Sequence, residues 1–105
     1  MTTIFPQLEK AEGPFTAVPL SQTNGIPVFA RVMENFEGPK HVHKSTDETF
    51  IVLSGVVYLD LESNSVRLGP GESYTVQAGV VHRSRVPGRA ELIVVGGKIE
   101  GGGQF

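Results

Sequence analysis

A chain of 105 residues with 39% hydrophobic content supports one compact domain, 1–105, and not two. Its net charge of −2 and its 9 Lys and Arg leave no basic stripe, which excludes a nucleic-acid or acidic-membrane partner. Cysteine is absent, so disulfides, thiolate metal ligands and a cysteine nucleophile are excluded, and any metal must be held by nitrogen and oxygen.

The segment from Met1 to Pro19 contains Glu9, Lys10 and Glu12 but no uninterrupted apolar run, so it lacks the hydrophobic stretch of a signal peptide. Elsewhere the apolar runs are strand-length, far below the roughly 20 residues needed to span a bilayer. A soluble, cytoplasmic protein without a membrane partner is expected.

Gly (13) and Pro (7) are spread through the chain, and no window of a dozen residues sustains a helical period, so the fold is expected to be all-β. In chain order the extended runs are Phe15 to Val18, Pro27 to Phe36, Lys40 to His43, Glu48 to Leu53 and Val56 to Leu61. They continue with Ser65 to Leu68, Ser73 to Gln77, Val81 to Val86 and Glu91 to Val95. Turn chemistry separates them at Asn24-Gly25, Glu37-Gly38-Pro39, Ser54-Gly55, Ser63-Asn64, Gly69-Pro70-Gly71, Ala78-Gly79 and Pro87-Gly88, the pattern of a sandwich or barrel.

The runs from Glu48 and from Val56 are apolar on both faces, so each must be covered twice. A closed barrel fills one face, and the other needs a second sheet or a second subunit. A homodimer is expected, with a two-sheet monomer as the alternative. The barrel core is placed at about 15–97. Residues 98–105, rich in Gly, are read as a flexible tail without a function.

Chemistry concentrates on four residues. In His41-Val42-His43 an extended backbone turns both imidazoles to one side and Val42 to the other. Glu48 opens the next run after a short connection, and His82 comes from a later run, so ligands from three strands can converge. Three imidazoles and a carboxylate suit one divalent transition metal, Fe, Mn, Ni, Cu or Zn, and an octahedral ion would keep about two positions open. A single strand histidine is more often a hydrogen-bonded residue than a ligand. Here all three histidines of the chain fall at mutually consistent positions with a glutamate between them.

The segment Gly38-Pro-Lys-His41-Val-His43-Lys-Ser-Thr-Asp-Glu48-Thr-Phe-Ile-Val-Leu-Ser-Gly55 resembles the first motif of the cupin superfamily, including the six-residue interval from Glu to Gly. Gly71-Glu-Ser-Tyr-Thr-Val-Gln77-Ala-Gly79-Val-Val-His82-Arg-Ser-Arg-Val86 resembles the second. There are three departures: Gly38 lies two residues nearer His41 than the motif asks, Gln77 stands where the motif has Pro, and Val86 where it has Asn. None is a ligand position. The resemblance, to small single-domain cupins, implies a double-stranded β-helix (jelly-roll) barrel, commonly dimeric, with a metal inside its mouth.

Phe50 and Val52 are expected on the side of Glu48, and Ser84 and Val86 on the side of His82, as cavity lining; plain core packing is the simpler role for the three apolar ones. Arg31, if inward, would be a natural clamp for a substrate carboxylate, but an outward, solvated Arg31 is the simpler expectation. Gln77 could present an amide to the cavity or lie in a surface turn. Arg83, Arg85 and Tyr58 are out of phase with the inward set and are read as exterior.

Within the resemblance the leading reading is a metal-dependent enzyme acting on a small molecule, of dioxygenase, isomerase, lyase or cyclase type. A metal-independent sugar-nucleotide epimerase is disfavoured because every histidine is committed to the metal. A Cys-Tyr thiol dioxygenase is excluded by composition, and a seed-storage role is disfavoured because those proteins resemble doubled cupins and this chain holds one copy. The alternative is a module that binds or senses a small ligand through its metal. A purely structural metal is disfavoured, since such sites usually close with four ligands and often use Cys.

Overall fold

The computed structural model describes residues 14–97, with the side chain of Thr23 outside the description; the tail expected at 98–105 lies outside the described residues. Seven strands form, all paired antiparallel: β1 (Phe15–Thr23), β2 (Ile26–Glu37), β3 (Glu48–Ser54), β4 (Val57–Asp60), β5 (Ser65–Leu68), β6 (Ser73–Val76) and β7 (Arg83–Gly96). None of the described residues is helical, so no helix is long and apolar enough to cross a membrane.

The order is β1-β2-β7-β3-β6, with β4 joining β7 and β5 joining β4. The fold is an all-β jelly roll, as the turn-punctuated sequence leads one to expect. β1 runs beyond Val18 to Thr23, because Asn24 and Gly25 both take positive φ (53° and 76°) and close a two-residue hairpin that pairs Thr23 with Ile26.

Two sequence expectations are corrected. Pro87-Gly88 does not end a strand: β7 is continuous from Arg83 to Gly96. Opposite this pair, the register of β2 slips between Glu34 and Phe36, where Asn35 adopts φ 46°. A bulge there bends the ladder without breaking it, and the missing N–H of Pro87 is tolerated at the irregularity. The bend lets β7 pair with β4 through Arg83–Arg85 and with β3 through Glu91–Gly96, while β2 follows its other edge. One long strand therefore serves both layers. The second correction concerns Lys40 to His43, which is no regular strand; its backbone pairs through an isolated bridge between His41 and His82.

Between the layers lie Met33, Phe50, Val52, Leu59, Leu92 and Val94, each at most 1% exposed. Burial of such side chains contributes roughly 2 kcal/mol apiece. In β3 the buried positions are Glu48, Phe50 and Val52, while Thr49, Ile51 and Leu53 on the other face are only half-buried. The same alternation that packs Phe50 inward thus carries Glu48 into the interior.

Candidate metal centre

The backbone of His41 and that of His82 exchange two hydrogen bonds of 2.9 Å, each N–H donating to the other's carbonyl. Directly opposed residues of an antiparallel bridge project to the same side, and their imidazole centroids lie 4.4 Å apart. Two residues on, the His43 carbonyl accepts from Gly79 N at 2.9 Å, so the segment stays extended without forming a regular strand. Its alternation is as expected: His43 is buried and Val42 is exposed.

Glu48 opens β3 between Val76 of β6 and Gly96 of β7. The residue before it ties the neighbouring loops together: Asp47 Oδ1 accepts from Ala78 N at 2.8 Å, and its carbonyl accepts from Gly97 N at 3.1 Å. Gly97 (φ 69°) lies directly against the Glu48 carboxylate, and a Cβ there would overlap it. Sequence reasoning misses Asp47 and Gly97. Nothing in composition or period marks an aspartate in a loop or a glycine at the edge of a Gly-rich tail.

The four side chains present ligand atoms that all lie within 4.8 Å of one another; His43, Glu48 and His82 are buried and His41 is half-buried. His82 Nε2 is 2.8 Å from Glu48 Oε1, and His43 Nε2 is 3.2 Å from the same oxygen. His41 Nδ1 and His82 Nδ1 each donate to a backbone carbonyl, of Pro39 and Val80 respectively, both at 2.9 Å. Holding Nδ1 in this way turns Nε2 inward as the donor atom, the usual arrangement for imidazoles that bind metals. The Phe50 ring stands edge-on to His82, with centroids 6.3 Å apart, and fixes its tilt from within the core.

Electrostatics reflect this crowding. Burial opposes the charge on Glu48, yet contacts from His43 and His82 and the field of Arg31 hold its carboxyl below the usual range. Burial also opposes protonation of His82, but Glu48 and the Val80 carbonyl raise its pKa. His41 is lowered, first by burial, with the Pro39 carbonyl opposing and the other two imidazoles reinforcing.

The cluster could hold a metal ion. Glu48 Oε2 and His43 Nδ1 are buried without a hydrogen-bond partner, and three imidazoles crowd one carboxylate with no apolar reason to do so. Orphaned buried polar atoms are costly unless something satisfies them. The nitrogen-rich, sulfur-free donor set fits a borderline divalent ion.

The other sequence candidates fall as follows. Arg31 is not outward and solvated: it is fully buried on β2, its guanidinium 5.0 Å over the Phe15 ring. Gln77 lies in an exposed turn, its carbonyl accepting from Val80 N, and is not part of the cluster. Phe50, Val52 and Val86 are core residues, and Ser84 is buried with its hydroxyl 3.7 Å from Met33 Sδ. Val86, where the motif has Asn, therefore fills apolar space. Arg83 and Arg85 lie on the outer side as expected, gripping Asp60, and the Arg85 guanidinium covers the Tyr58 ring at 4.5 Å.

A barrel with three imidazoles and a carboxylate gathered from separate elements defines the class of cupin-like folds. The cupin domain family model matches residues 28–96, and the chain belongs to this family. Among solved structures it is similar to a cupin-2 domain protein of Shewanella frigidimarina (24% identity, TM-score 0.72, covering 76% of this chain and 78% of that one). It is also similar to KdgF of a Halomonas species (17%, TM-score 0.71, 88% of each chain) and to EutQ of Clostridium difficile (18%, TM-score 0.69, 78% and 66%). At these identities the likeness concerns the fold. No curated protein matches the chain.

Proposed function

We propose that the protein is a metal-dependent enzyme acting on a small molecule, with His41, His43, Glu48 and His82 holding one divalent transition ion. The observation that carries this reading is the convergence of four donor side chains within 4.8 Å, three of them buried, at a place where they build no hydrophobic core. A metal held there would supply Lewis-acid polarisation of a bound oxygen, or a binding position for dioxygen beside a chelated substrate.

The chain's own residues have distinct parts. Pro39 and Val80 orient two imidazoles, Gly97 leaves room for the Glu48 carboxylate, Asp47 ties the adjoining loops together, and Phe50 packs edge-on against His82. The fully buried ionisable side chains on the inner face, beyond the four, reduce to Arg31 among the described residues; Asp60 pairs with surface arginines, and Glu91 lies on the opposite face of β7 beside Ser54. General acid–base work by a separate side chain therefore has little support, which favours chemistry centred on the metal.

The same scarcity supports a second reading, a module that binds or senses a small ligand through its metal without turnover. The two are separated by loading the protein with Fe(II), Mn(II), Ni(II), Cu(II) or Zn(II) and following oxygen uptake and product formation with enols, diketones and catechols. Metal-dependent turnover is expected. Tight ligand binding with no turnover under any metal would replace the enzyme by the binding module.

We also propose a homodimer. The sheet face opposite the core carries Val18, Val28, Ile51, Ile93 and Val95, all half-buried, and register pairs Ile51 with Ile93 and Val28 with Val95. A largely apolar, β-branched face is complementary to itself, which suits an isologous contact with a second copy.

A further inference from the structure

Arg31 is the largest fully buried side chain among the described residues, and Nε, Nη1 and Nη2 all lack a hydrogen-bond partner. A guanidinium carries five N–H donors and stays charged, so a buried one with none of its three nitrogens satisfied is rare in a folded protein. The Phe15 ring beneath it offers a face for the cation but accepts none of the in-plane hydrogen bonds.

Its position is informative. On the inner face Arg31 is paired with Leu92 of β7, which is paired with Val52 of β3, and Glu48 lies two inward positions further along β3. Register therefore sets Arg31 and Glu48 on the same inner face, with Leu92, Val52 and Phe50 between them.

Charge balance points to what is missing. A divalent ion on three neutral imidazoles and one carboxylate leaves a single positive charge at the cluster, and Arg31 adds a second in the same low-dielectric interior. Among the described residues no buried acid apart from Glu48 faces them: Asp60 is held by Ser65, Arg83 and Arg85, and Glu91 lies on the other face of its strand. Planar, unpaired donors that share an interior with a positively charged centre fit a small anion with a planar, two-oxygen head.

Building on the metal-site reading, we propose that Arg31 receives the carboxylate of the ligand, so that the molecules this protein takes are small carboxylic acids with an apolar body. One cation, with no lysine or second arginine buried beside it, suits a carboxylate better than a phosphate dianion. Arg31 acts as a substrate-binding residue opposite the metal.

The test is calorimetric titration of Zn(II)-loaded protein with acetate, pyruvate and benzoate, with acetamide, pyruvamide and benzamide as neutral counterparts, and with inorganic phosphate. At least one carboxylate is expected to bind about tenfold or more tighter than its amide, with Arg31→Met losing that preference and Arg31→Lys keeping part of it. Zinc content measured on the same samples is expected to be unchanged in both variants, which separates loss of the anion contact from loss of the metal. If the wild-type chain takes up no zinc, the metal reading fails, and the same titration of the metal-free chain tests Arg31 alone. If Arg31→Met does not fold, the contrast between acid and amide in the wild-type chain and the response of Arg31→Lys decide the matter. Equal binding of acids and amides, no binding of any acid, carboxylate binding unchanged in Arg31→Met, or phosphate binding tighter than every carboxylate would overturn the proposal.

Discussion

At the scale of single residues, the geometry of the cluster depends on small groups behind its four side chains as much as on those side chains. Gly97 holds a left-handed conformation and lies where a methyl group would strike the Glu48 carboxylate. Gly71 has a similar φ (81°) with open space around it. Gly97→Ala and Gly71→Ala therefore incur a similar backbone cost of about 1 kcal/mol, but only the first displaces the Glu48 carboxylate. Gly97→Ala is expected to weaken metal binding by about tenfold or more, while Gly71→Ala changes it by less than about twofold. Paired melting curves and metal titrations check this, and equal metal affinities in the two variants would contradict it. The four residues of the cluster were legible in the sequence, because alternation fixes the side of His41 and His43 whatever the strand's regularity. Arg31 was not. The stretch Ala30–Met33 is buried on both faces, so period two gives no sign for inside or outside, and the usual preference of arginine for solvent pointed the wrong way.

At the scale of elements, the bend of β7 decides how the two layers meet. A sequence reading breaks the strand at Pro87-Gly88, because local turn chemistry is strong there; what it cannot see is the bulge at Asn35 on the partner strand that absorbs the irregularity. The same strand carries Arg83 and Arg85, which clamp Asp60 of β4 with Nε–Oδ2 contacts of 2.9 Å each, while Ser65 of β5 donates to Oδ1 at 2.6 Å. Arg85 first, opposed by burial and reinforced by Ser65 and Arg83, holds the Asp60 carboxyl well below its ordinary range. A depressed folded pKa adds stability above the unfolded-chain value of about 3.8 and loses it as pH falls toward the folded value. Solvent screens these pairs, since the arginines are about a third exposed. Asp60→Asn is therefore expected to lower unfolding free energy by only about 1 kcal/mol near neutrality. The gap should narrow as pH drops below about 4, the range in which the unfolded carboxyl takes up its proton. Urea unfolding of both proteins across that range is the check; a gap that does not change with pH would show that the charge is not its source.

At the scale of the whole molecule, both the all-β class and the jelly-roll family were legible, because turn residues punctuate short apolar runs and the two ligand-bearing segments carry most of the motif. The doubly apolar character of β3 was legible as well: its outer residues Thr49, Ile51 and Leu53 remain only half-buried in the single chain. If that face joins two copies, light scattering will give twice the mass of one chain, and Ile51→Lys will give a monomer with its metal content intact, because a lysine at the centre of an apolar interface leaves a desolvated charge. A monomeric wild-type protein would contradict the dimer and leave the cluster untouched.

The account rests on four side chains holding one transition ion, and elemental analysis after loading and desalting tests this most directly. One divalent ion per chain is expected in the wild-type protein, with Glu48→Gln weakening affinity by about tenfold or more and the His41→Ala, His82→Ala double variant retaining almost none. Full occupancy in a folded double variant, or no uptake of any transition metal by the wild-type chain, would contradict it.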